Sequence, residues 1–108
     1  MISEEQIQRV AERLREAAPD ATIILFGSHA RGDARDTSDL DILVVEPVVE
    51  SRHAEMNRLA NAIRDLRIPA DVLVVSERVY REWAGEQGTV INEAARDGRV
   101  LYEPTQTH

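Results

Sequence analysis

Two aspartates one residue apart, Asp39 and Asp41, open the apolar run Leu40 to Val45 in a chain of 108 residues. On a strand, residues two apart share a face, so both carboxylates project together while Leu40 and Ile42 turn the other way. Carboxylates that close repel unless a cation lies between them, and hard divalent ions such as Mg²⁺ take such oxygen ligands. Alone, an Asp-x-Asp also reads as the solvated edge of a strand. Asp71 begins a second apolar run, ending at Val75. Aligned beside Asp39 and Asp41 it would complete a three-acid set able to hold two metal ions, the equipment for in-line displacement at phosphorus. Upstream, Gly27-Ser28 follows the apolar stretch Ala21 to Phe26. Such a junction offers backbone amides and a hydroxyl to an anion, although a lone Gly-Ser is more simply a turn. Arg31 has two readings: a bidentate phosphate contact, or an ion pair tying the loop to Asp33, Asp36 or Asp39.

Composition narrows the chemistry. The 13 basic residues are all Arg, against 20 Asp and Glu, for a formal net charge of -7. Without lysine there is no Walker-type phosphate loop and no Schiff-base chemistry. Without cysteine there are no disulfides, thiolate zinc sites or thiol nucleophile. An acidic chain with no basic stretch is a poor binder of bulk DNA, and its four aromatics, Phe26, Tyr80, Trp83 and Tyr102, make no base-stacking platform. His29, His53 and His108 are too scattered to suggest a metal triad. No apolar run approaches the roughly 20 residues of a membrane span, and the acidic start Met1 to Glu5 does not read as a signal peptide. The expected location is the cytoplasm.

The elements that must position these residues are legible from periodicity. Ser3 with Gln6 forms a capping box for a helix carrying Ile7, Val10, Ala11, Leu14 and Ala18, ended by Pro19-Asp20. Ala21 to Phe26 is a buried strand, and Leu40 to Val45 a second one with Asp39 at its start. A helix over 51–67 places Met56, Leu59, Ala60, Ile63 and Leu66 on one stripe, and Pro69 stops it. Asp71 to Val75 is a third strand. Ser76-Glu77 opens another helix with Val79, Tyr80 and Trp83 facing inward. The last helix covers 89–97 with Gly98 as its C-terminal cap, then a short strand over 99–103 and a tail over 104–108. The order predicts a single α+β (mixed α/β) domain over 1–108, a short mixed sheet flanked by helices.

Gly27-Ser28-His29-Ala30-Arg31-Gly32 followed by Ser38-Asp39-Leu40-Asp41-Ile42-Leu43-Val44 resembles the signature of the DNA polymerase beta nucleotidyltransferase superfamily: Gly-Ser, ten residues, then Asp-x-Asp. Asp71-Val-Leu-Val-Val matches the third acidic position. The small size, the Ala-Arg-Gly after the Ser, and the closing Gly98-Arg99-Val100-Leu101-Tyr102 are similar to the minimal nucleotidyltransferases (MNT). The likeness spans nearly the whole chain; one departure is His29, where relatives often carry a basic or aromatic residue.

The resemblance implies the small nucleotidyltransferase fold and a division of labour. Gly27 and Ser28 would bind the nucleotide's phosphates, with Arg31 open to either of its two readings. Asp39 and Asp41 would ligate two Mg²⁺ ions, and Asp71 would join the one where the attacking hydroxyl is activated. The implied reaction is transfer of AMP from ATP to a hydroxyl of a partner protein (AMPylation). The implied partner is a small helical HEPN-type toxin, held in an oligomer with this chain as its antitoxin. Two alternatives stand beside it: a binding-only antitoxin, and a subunit adenylating small molecules of the aminoglycoside type.

Overall fold

The structure is a computed structural model, and it describes residues 1–104; the expected tail from Thr105 to His108 lies outside the described residues. Four strands form one mixed sheet: β1 (Thr22–Phe26), β2 (Leu40–Glu46), β3 (Ala70–Ser76) and β4 (Arg99–Tyr102), in the order β3-β2-β1-β4. β1 pairs antiparallel with both β2 and β4, whereas β2 and β3 run parallel. A parallel pair needs a crossover, and the connection from β2 to β3 supplies it as a helix.

The central strand β2 is apolar on both sides because both sides are covered. Leu40, Ile42 and Val44 join Ile23, Leu25, Val72 and Val74 under α1 (Glu4–Ala17) and α3 (Arg52–Ile63), which contribute Ile7, Val10, Leu14, Leu59 and Ile63. Leu43 and Val45 face the other way, joining Ile24, Phe26 and Val75 under α4 (Glu77–Trp83) and α5 (Val90–Asp97). The second face is the thinner cover. Its helices are short, and at α4 and α5 the fully buried side chain is Ala94 alone, among the described residues.

Local signals act as the sequence suggests. Ser3 and Gln6 close the capping box of α1, and Ser51, Ser76 and Thr89 cap α3, α4 and α5 through their side-chain oxygens. Two expectations need correction. The helix expected to reach Arg67 is α-helical only to Ile63 and continues as a 3₁₀ turn, Arg64–Leu66, which Arg67 ends in the left-handed conformation at φ 56; the tighter turn keeps Leu66 packed on the core while Arg64 and Asp65 face solvent. Trp83 does not face inward: it is 46% exposed, whereas Val79 and Tyr80 pack on the second core. Gly98 caps α5 as expected, its N–H donating to the Ala94 carbonyl with extended backbone at φ -74. Its reason is space, since a Cβ there would overlap the Ala94 carbonyl and crowd Ile24. Among the described residues no helix is long and apolar enough to cross a membrane.

Candidate active site

The parallel register places Asp41 directly opposite Asp71, and the antiparallel register places Phe26 opposite Asp41 from the other side. Cross-strand partners share a face, so both carboxylates stand on the face covered by α4 and α5. Asp39 lies just outside the strand, two residues before Asp41. Thus the sheet brings the N-terminal ends of β2 and β3 together with the C-terminal end of β1, where the chain turns at Gly27.

Gly27 completes the wall. Its backbone takes φ 76 and ψ -155, a region that side chains avoid. A Cβ at this position would overlap the Asp41 carboxylate. Glycine is required twice over, by its backbone angle and by the approach of Asp41. From there α2 (Ser28–Arg31) makes one turn and ends at Gly32, left-handed at φ 86. His29 Nε2 donates to the Ser38 carbonyl at 3.0 Å, tying α2 to the loop that carries Asp39. Ser38 Oγ in turn accepts from the Arg35 N–H at 2.9 Å and shapes that loop.

The site is electrostatically crowded. Burial, and then the charges of Asp71, Glu93 and Asp39, push the Asp41 carboxyl up from its ordinary value, with His29 opposing weakly. Glu93, on α5, is the member that sequence reasoning missed. Its only linear signal is a carboxylate in the first turn of a Thr-capped helix, and its contact partner Arg31 is 62 residues away. Arg31 pairs with two carboxylates in this structure: Nη1 lies 3.3 Å from Glu93 Oε2 and Nε 3.3 Å from Asp33 Oδ2.

Asp39, Asp41 and Asp71 offer hard carboxylate oxygens of the kind Mg²⁺ takes, and the strand register sets Asp41 and Asp71 side by side. They are not drawn into a finished cage: among the described residues no three acidic or histidine side chains form a ready metal-binding set. Below the acids, the same face continues as an apolar groove of 460 Å³ lined by Leu43, Leu73, Val79, Trp83 and Val90.

This arrangement belongs to a known class. The nucleotidyltransferase domain family matches residues 7–98, and the chain belongs to that family of enzymes. Solved structures share the fold. A Sulfolobus solfataricus protein assigned to the nucleotidyltransferases superposes with a TM-score of 0.65 at 24% identity, over 92% of this chain and 78% of that one. A toxin-antitoxin with AMP-PNP gives 0.55 at 23%, over 91% and 73%. A tri-AMPylated Shewanella oneidensis HEPN toxin in complex with MNT antitoxin gives 0.52 at 21%, over 93% and 71%. Comparison with curated proteins finds no match.

Proposed function

We propose that this chain, as a single domain, is an Mg²⁺-dependent protein adenylyltransferase of the cytoplasm. It transfers AMP from ATP to a tyrosine hydroxyl on a small helical HEPN-type toxin, and so acts as the antitoxin of that toxin, with which it forms an oligomer. The observation that carries this reading is the alignment of Asp41 with Asp71 beside the side-chain-free backbone of Gly27. The nucleotide and the AMPylated toxin held by two structures of the same fold support it.

When bound by Asp39, Asp41 and Asp71, two Mg²⁺ ions supply charge neutralisation at the phosphates. The protein does the rest by position. Gly27 lets the phosphates approach the backbone, and Ser28 adds a hydroxyl donor. Asp71, exposed at the sheet edge, takes the proton of the attacking hydroxyl. The acceptor oxygen bonds to the α-phosphorus as its bond to the bridging oxygen breaks, and pyrophosphate leaves. With net charge -7, the chain has no affinity for bulk duplex DNA at physiological salt.

The test is incubation with a co-purified partner and α-phosphate-labelled ATP with Mg²⁺. Label and added AMP mass on the partner support the reading. A bound but unchanged partner would establish a binding-only antitoxin, and label on a small hydroxyl compound would move the acceptor class.

A further inference from the structure

Arg31 lies one helical turn beyond Gly27-Ser28, at the mouth of the proposed phosphate site, yet its guanidinium is already engaged by two carboxylates. Asp33 sits two residues along the same loop and moves with it. Glu93 is different: it belongs to α5, a separate element packed across the sheet, so the Arg31–Glu93 contact is the link between the phosphate loop and the C-terminal helix. The contact is 3.3 Å long, single rather than forked, and both side chains are well exposed, 42% for Arg31 and 37% for Glu93. An ion pair with that geometry is weak. A triphosphate carries several charges and accepts bidentate guanidinium bonds, so it is the stronger partner for the same group.

We propose that Glu93 sets the nucleotide affinity of this site by occupying Arg31: a nucleoside triphosphate binds by taking the Arg31 guanidinium away from Glu93. The inference rests on the nucleotidyltransferase reading above. Glu93 is then a competing anion built into α5, and its release on nucleotide binding frees α5 from the loop. Geometry favours exchange over a permanent strut. A strut would use the forked two-bond pairing that Arg13 makes with Asp65 at 2.6 and 3.0 Å, whereas the Arg31 fork is split between two weak partners. Arg31 also stands where a partner change needs only side-chain rotation, being exposed and anchored by a single turn that ends at a glycine.

Calorimetric titration of the full chain with a non-hydrolysable ATP analogue and Mg²⁺ tests this, using wild type, Glu93→Gln, Arg31→Gln and the double variant. Circular dichroism confirms that each is folded; Glu93→Gln preserves side-chain size at a half-buried position. The expected result is that Glu93→Gln binds the analogue about two- to fivefold more tightly, the scale of one exposed ion pair. Arg31→Gln binds more weakly, and the double variant binds as weakly as Arg31→Gln. A gain that persists in the Arg31→Gln background overturns the exchange, because Glu93 then acts only through its field. Unchanged or weaker binding by Glu93→Gln overturns it as well and leaves the transfer reading standing. Absence of binding by the wild type at millimolar analogue overturns both.

Discussion

The carboxylate of Asp41 rests against the bare Cα of Gly27, so the residue that opens the loop and a central acid of the strand share one van der Waals space. That relationship ties backbone conformation to chemistry at a single point.

Gly27→Ala should therefore fail in two ways. The methyl group must displace Asp41, and the backbone at φ 76, ψ -155 is strained for any side chain. The expected cost is about 1–3 kcal/mol in urea unfolding, together with loss of nucleotide binding. Ser28→Ala removes one hydroxyl and should weaken binding less than the glycine change. The reverse order in calorimetry would mean that the loop does not hold phosphate in this way.

Asp41→Asn removes a charge that its surroundings resist. Because the folded state raises this carboxyl's pKa, ionised Asp41 lowers stability at neutral pH, and the penalty fades as pH falls into the ordinary carboxylate range. The nucleotide-free variant should melt at or above wild type near neutral pH. Mg²⁺-ATP should raise the wild-type melting temperature, by about 2.7 kcal/mol of stability at one hundred times Kd, and this rise should shrink or vanish in the variant. Equal ligand-dependent shifts in the two proteins would sink the three-acid site.

A second carboxyl pair governs acid stability away from the site. At the far end of β2, burial and hydrogen bonding to Glu55 push Glu46 up to about 7, while Arg58 holds Glu55 down to about 2. Glu46 Oε2 is buried without a hydrogen-bond partner, and Arg58 grips Glu55 at 2.6 and 2.7 Å. Between the ordinary value of 4.5 and about 7, the folded chain keeps a proton on Glu46 that the unfolded chain releases. Stability therefore falls as pH rises through that window. Glu55 works oppositely, its contribution present above 4.5 and lost as pH drops toward about 2. Glu46→Gln should flatten the upper limb and stabilise the protein at pH above it by on the order of 1 kcal/mol, after discounting for solvent screening. Urea midpoints measured across both windows check the sign; an unchanged slope in the variant would reject the shared proton.

The two faces of the sheet should respond unequally to truncation. Leu59, fully buried under α3, should cost about 2–5 kcal/mol on change to Ala. Trp83→Ala, despite the larger side chain, should cost less, because nearly half of Trp83 already faces water. Paired denaturant melts decide it, and a larger loss at Trp83 would show that α4 is the more tightly held cover.

Much of this was legible in sequence because the signals were local. Period-two alternation put Asp41 on the face away from Leu40 and Ile42, and the apolar run after Asp71 made it a strand partner, whereas Asp39 lies just outside β2. Capping residues marked the starts of α1 and α4. What sequence could not carry was the thinness of the second layer. Val79, Tyr80 and Trp83 show one helical stripe, but a helix of seven residues is too short to bury all three. Glu93 was hidden for another reason: it reaches Asp41 and Arg31 only after the chain has crossed the sheet, and nothing in its neighbours records that meeting.

The border position of β3 has a consequence for traffic. Gly27 follows β1, a strand flanked on both sides, while Asp71 stands on an edge strand. In the transfer we propose, donor and acceptor therefore converge on Asp41 from opposite flanks, the triphosphate over the enclosed side and the hydroxyl from the open margin. In-line displacement demands such opposed lanes. An acceptor as bulky as a folded protein can then dock and depart without crossing the path of the nucleotide.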